Sequence, residues 1–147
     1  MAKNNLKSFL LNAHAEQDQP SKNIEQKKYP ILSIDYGEKF CGLAWSPDGI
    51  TALLIKVTPT PQAEKETKEL LSQKKIKTLV LGLPTAPDGG ENHICAITRT
   101  FAQKFSSKEL TIKFVNERGS SRATIQGKNK RIDDQAALNI LKYYLES

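Results

Sequence analysis

The segment YPILSIDYGEKFCGLAW, residues 29–45, decides how the chain is read. Ile31, Leu32 and Ile34 make a short apolar strand, yet it closes on an acid, Asp35, with Gly37 two residues further on. A carboxylate beside a buried strand costs free energy unless a cation, a hydrogen-bond network or a proton compensates its charge. Gly37 opens a turn, and FCGLAW (40–45) supplies a second strand. SPDG (46–49) is a further turn signal, Asp-Gly being favoured in tight hairpins, and ITALLIKV (50–57) continues as a third strand. Three strands joined by turns this short predict an antiparallel meander.

Beyond residue 58 the period changes. Thr60 is expected to cap a helix whose first turn takes Pro61, where a missing N–H costs nothing. Ala63, Thr67, Leu70 and Leu71 then recur at helical spacing to about Lys74. IKTLVLGL (76–83) is a nearly continuous apolar run, as in a central strand covered on both faces. After the loop PTAPDGGE (84–91), a second helix sets Ile94, Ile97, Phe101 and Phe105 on one side. LTIKFV (110–115) alternates as a strand ending at Asn116-Glu117. A last helix from about Asp133 carries Ala136, Ala137, Ile140, Leu141, Tyr144 and Leu145. The order β-β-β-α-β-α-β-α predicts an α/β domain over residues 30–147, a mixed sheet flanked by helices. Residues 1–29, rich in Asn, Gln, Lys and Glu with no sustained period, are expected to form a mostly disordered polar extension.

A chain of 147 residues suffices for one domain with a real core. No apolar run reaches the length of a membrane span and the first residues lack a signal-peptide pattern, so a cytoplasmic protein without a membrane partner is expected. Cys41 and Cys95 fit no metal spacing and read as reduced thiols that pack as small apolar groups. The net charge of +6 is compatible with a polyanionic partner. Its distribution says more: Arg118, Arg122, Lys128, Lys130 and Arg131 share one loop that contains no acid. Such a loop either binds phosphates or is simply a solvated face.

Three acids fall at junctions of predicted elements. Asp35 sits late in the first strand, Glu117 follows the last strand and Asp133 opens the last helix. Ligands of α/β sheets gather at the carboxyl ends of strands, so the three could converge at one edge. Converging carboxylates repel unless a cation neutralises them, and oxygen ligands suit Mg²⁺ or Mn²⁺. Such a site activates water for attack on a phosphodiester and stabilises the leaving oxygen. It requires neither His14 nor His93, so zinc is not expected. Each acid also has a plainer use: Asp133 as a helix N-cap, Glu117 as the partner of Arg118, Asp35 as a cap on the Gly37 turn. Helical projection does not separate Asp133 from Asp134.

From Pro30 to the end, the chain resembles the YqgF-type, RNase H-like proteins, described as pre-16S ribosomal RNA nucleases and as Holliday junction resolvases. ILSIDYGEKFCGLAW resembles the family's opening strand, LVLGLPTAPDGGE its Gly-Leu-Pro loop, FVNERGSS its Asp-Glu-Arg-x-Thr-Ser segment and IDDQAALNILKYYLE its closing helix. The resemblance implies an RNase H-like fold, with a five-stranded mixed sheet and helices on both faces. It implies that Asp35, Glu117 and Asp133 hold the catalytic metals, spacing to Ala136-Ala137 selecting Asp133 over Asp134. It implies phosphate contacts from Lys39 and Arg118 and a hydroxyl role for Ser121. The expected function is metal-dependent maturation of precursor 16S rRNA, with Mg²⁺ or Mn²⁺ as cofactor and the small ribosomal subunit as a further partner, by a monomer or homodimer.

The chain also departs from that pattern. Asn116 stands where the family usually has Asp, Phe40 where it has Arg and Glu38 where it has Thr, and the Glu117–Asp133 segment is shorter, lacking a helix. These departures motivate a second expectation, a non-catalytic RNA- or ribosome-associated binding module. A third is cleavage of branched DNA as a Holliday junction resolvase, which requires a symmetric dimer. An Asp-x-Gly turn also opens actin- and sugar-kinase-type nucleotide sites, but those need two domains and this chain is too short.

Overall fold

The computed structural model describes residues 26–85, 88–116 and 132–147, without the side chains of residues 132–134. The expected amino-terminal extension lies outside the described residues up to residue 25. Five strands, β1 (Ile31–Asp35), β2 (Phe40–Ser46), β3 (Leu53–Pro59), β4 (Thr78–Leu83) and β5 (Thr111–Asn116), form one sheet in the order β3-β2-β1-β4-β5. The helices are α1 (Thr60–Gln73), α2 (His93–Gln103) and α3 (Ile132–Glu146). β2 pairs antiparallel with β1 and β3, whereas β4 pairs parallel with β1 and β5. This is the expected mixed sheet, and α1 and α2 supply the long crossovers that parallel neighbours require.

The apolar runs follow from strand position. β1 and β4 lie inside the sheet with helices over both faces, and all six residues of β4 are buried. On one face Leu32, Ile34, Leu79 and Leu81 pack with Ala63 of α1 and Phe101 and Ala102 of α2. On the other, Ile31, Val80 and Val115 pack with Ala137, Ile140 and Leu141 of α3. Cys41 and Cys95 are buried and unbridged, as expected of small apolar groups. The chain joins the sheet before β1 begins: the Thr78 hydroxyl donates to the Lys28 carbonyl at 2.9 Å, and Lys77 N–H to Pro30 at 2.9 Å. Among the described residues no helix is long and apolar enough to cross a membrane.

Three local expectations are corrected. The third strand begins at Leu53 rather than Ile50, because Asp48 Oδ1 accepts the N–H groups of Ile50 (2.9 Å) and Thr51 (2.8 Å) and holds them in the turn. These same bonds hold the Asp48 carboxyl below its usual pKa. Thr60 does not cap α1; Pro59 occupies that position with no side-chain cap, and Thr60 is already helical. On α2 the buried residues are Cys95, Thr98, Phe101 and Ala102, whereas Ile97 is exposed.

Candidate active site

The parallel pairing brings the carboxyl ends of three strands out at one edge. Asp35 ends β1, Leu83 ends β4 and Asn116 ends β5, with Leu83 in register with Asn116. Asp35 is half-buried. Side chains alternate along a strand, so Asp35 shares a face with Ile31 and Ser33. That is the α3 face: Ile31 packs in the α3 cluster, and Ser33 Oγ donates to the Ala137 carbonyl at 3.0 Å.

The direction of α3 then fixes what meets Asp35. Lys27, which precedes β1, reaches the Ser147 backbone oxygen at 2.9 Å, so the helix ends near the start of β1 and runs antiparallel to it. From Ser33, two residues along β1 advance about 6.6 Å to Asp35. From Ala137, one turn back along α3 retreats about 6 Å to Asp133. Both steps lead in the same direction, toward the carboxyl edge. Asp133 is the second residue of α3.

The β1–β2 turn is held from outside. Thr60 Oγ1 donates to the Gly37 carbonyl at 2.7 Å, and Thr60 N–H donates to the Lys39 carbonyl at 2.9 Å. Gly37 is required because a Cβ there would collide with the Phe40 carbonyl oxygen. The result is an exposed Lys39 on a fixed backbone at the rim of the edge. Tyr36 turns to the opposite face and packs on Phe101, ring centroids 4.8 Å apart. Burial, then the nearby Cys41 and Glu38, push its phenol up, so it stays neutral at ordinary pH. Glu38 Oε2 lies 3.5 Å from His93 Nε2, spanning from this turn to the first residue of α2. Asn92 caps α2 by accepting from Ile94 and Cys95 N–H. Thr85 Oγ1 donates to Asn116 Oδ1 at 3.5 Å, tying the loop after β4 to the end of β5.

Of the expected site residues, Asp35 and Lys39 lie at this edge and Asp133 is placed there by the helix register. Glu117, Arg118, Ser121, Arg122, Lys128, Lys130 and Arg131 lie outside the described residues, as does the side chain of Asp133. Among the described residues no three His, Cys, Asp or Glu gather to hold a metal ion; two of the three expected ligand side chains are not in that set. Sequence reading missed the positioning residues Ser33 and Thr60. A serine inside ILSID was the available signal for the first; the second reads locally as a helix cap, and its contact with the distant turn has no local signal. Replacing Thr60 with Val is expected to cost about 1 kcal/mol by removing its hydroxyl bond, measurable as a lower denaturant midpoint.

A family model described as "RuvX: Holliday junction resolvase" matches residues 29–147. A protein of Cupriavidus pinatubonensis named "Putative pre-16S rRNA nuclease" is 32% identical over 124 residues, covering 79% of this chain and 87% of that one. Proteins of the same name from Maridesulfovibrio salexigens and Dictyoglomus turgidum are 35% and 34% identical, covering 78% and 80% of this chain and 96% and 94% of theirs. Among solved structures, RuvC of T. thermophilus, in complex with a Holliday junction substrate, superposes with a TM-score of 0.54 at 13% identity. The match covers 80% of this chain and 94% of that one, and shows a shared fold.

Proposed function

The chain belongs to the RuvX family, described as Holliday junction resolvase, and we propose that it is a divalent-metal-dependent nuclease that matures the end of precursor 16S rRNA in the cytoplasm. The observation that supports this reading is the Ser33–Ala137 hydrogen bond combined with the antiparallel course of α3, from which positions 35 and 133 are read as neighbours at one end of one face. Glu117, next in the chain after β5, completes the proposed trio. An all-carboxylate set at a half-buried strand end fits Mg²⁺ or Mn²⁺ rather than a softer metal.

Asp35, Glu117 and Asp133 would hold the ion. When bound, it supplies charge stabilisation of the phosphodiester in the transition state and acidifies a water for attack. The chain's own residues do the positioning. Ser33 locks the first turns of α3 to β1, so that the two acids keep their spacing. Thr60 fixes the turn that presents Lys39, whose ammonium binds a substrate phosphate as a point charge without reading a base. Arg118, Arg122, Lys128, Lys130 and Arg131 are proposed to hold the flanking strand, with Ser121 as a further polar contact. In this reading residues 30–147 form the catalytic domain, 1–29 are an appended polar segment, and the small ribosomal subunit presents the substrate.

The test offers end-labelled RNA carrying a 16S precursor end and a four-way DNA junction, each with Mg²⁺, Mn²⁺ or EDTA. Cleavage of the RNA with either metal and none in EDTA is the expected result. Junction cleavage by a species that sizes as a dimer would replace this reading with the resolvase. Salt-sensitive RNA binding without cleavage of either substrate would replace it with a binding module.

A further inference from the structure

Away from the carboxyl edge, α3 lies across β1 and β2 and leaves β5 largely uncovered. The β5 residues on that face are Thr111 and Lys113, then Val115, which meets the core. At the amino end of the sheet they floor a cavity of about 290 Å³ together with Thr78. Tyr144 of α3 forms its wall, and Lys27 and Lys28 close it. At about 30 Å³ per water, it has room for a phosphate group and several waters.

The cavity is built from fixed parts. The Thr78 hydroxyl holds the Lys28 carbonyl at 2.9 Å, which places the backbone of residue 28 above the floor. Lys27 is engaged in the wall, 2.9 Å from the Ser147 backbone oxygen and 5.2 Å above the Tyr144 ring. Among the described residues, no carboxylate pairs with Lys28. A second cavity, between the end of α1 and the end of α2, makes an instructive contrast. Its Lys68 and Lys104 flank one carboxylate, Glu64, at 3.2 and 3.8 Å, unlike Lys28.

We propose that the cavity under Lys28 seats a backbone phosphate of the nucleic-acid substrate, with Lys28 and Lys113 as its cationic contacts, and anchors the strand at a distance from the cleavage edge. This rests on the nuclease reading and adds a second point of attachment to it. Five residue steps separate Thr111 from Asn116, about 17 Å along β5. At duplex spacing that is about five nucleotides. An anchor so placed holds the body of a substrate while the edge acts on its end, and it carries no base preference.

The experiment measures binding of labelled single-stranded RNA in EDTA, using full-length Asp35→Asn protein so that no cleavage intervenes. Lys28→Ala/Lys113→Ala is compared with Lys65→Ala/Lys68→Ala on α1, which removes the same charge elsewhere. Thermal melts check that both variants fold; if the first does not, Lys28→Ala alone serves, since that side chain is exposed. Each phosphate contact to a single strand contributes about 0.7 to the slope of log K against log[salt]. The first pair is therefore expected to flatten the slope by about 1.4, so that its loss of affinity is greatest at low salt and shrinks by about 25-fold as salt rises through one decade. The α1 pair should leave both values nearly unchanged, and an RNA too short to span about five nucleotides beyond the edge should not distinguish the proteins.

Equal losses in both pairs would show bulk charge at work and overturn the proposal. So would equal losses on short and long RNA, which would move the contact to the cleavage edge. Inorganic phosphate that protects wild type but not the variant against melting, without any change in RNA binding, would reduce the cavity to a small-anion site and overturn it too. Failure of cleavage with this binding pattern intact would count against the nuclease alone.

Discussion

Asp35→Asn protein is expected to fold as wild type and to cleave precursor RNA more than about 100-fold more slowly. Groups that merely orient a metal's ligands are worth about 10–100-fold, so a carboxylate that holds the ion directly exceeds that range. Asn keeps the shape of Asp and removes one negative charge, so packing around the half-buried end of β1 is retained. Stability gives a second reading that needs no catalysis. Without metal, neighbouring carboxylates repel, and removing one leaves the melting temperature unchanged or higher. With Mn²⁺ at about 100 times its Kd, wild type gains about 2.7 kcal/mol, or about 5–10 °C for a domain of this size. The variant should lose most of that gain. Single-turnover cleavage and paired melts with Mn²⁺ and EDTA check both parts. A variant that stays within tenfold of wild type and keeps the metal-induced rise would place the ion elsewhere.

The fold was legible where the physics is local. β1 and β4 announce themselves because strands buried on both faces are mostly apolar, their few polar side chains being hydrogen-bonded, and Asp48-Gly49 marks a hairpin, with Gly49 at φ +85°. Asp35 stands out in the sequence for the opposite reason, as a charge at the end of such a run. The errors came from contacts between distant segments. Thr60 reads as a cap until the turn at 37–39 claims its hydroxyl and N–H. Ile97 reads as core, yet α2 buries Cys95, Thr98, Phe101 and Ala102, a stripe at helical spacing that leaves Ile97 exposed. The basic cavity was not legible at all, since Lys28, Thr78 and Lys113 belong to three separate segments that only the strand order brings together.

The choice between Asp133 and Asp134 is where structure adds most, and it yields the second large expected effect. The buried residues of α3 include Ala136, Ala137, Ile140 and Leu141. At 100° per residue their mean direction lies about 10° from that of Asp133 and about 90° from that of Asp134. On the helical wheel, position 133 therefore falls in line with those residues and position 134 a quarter-turn from them. Both acids lie in the first turn of the helix, where a negative charge is worth about 0.3–1 kcal/mol against the helix dipole. Replacing either with Asn removes a similar helix-dipole contribution, and melts of the two variants in EDTA separate any effect on folding from an effect on activity. Asp133→Asn is expected to lose cleavage as Asp35→Asn does, by more than about 100-fold, together with the metal-induced rise in melting temperature. Asp134→Asn should stay within about twofold, the scale of a substitution worth about 0.5 kcal/mol. Parallel rate measurements on the two proteins, with their melts in Mn²⁺, decide the matter. Equal losses would mean that the two acids act together, and loss in Asp134→Asn alone would mean that α3 turns a different face to the ion.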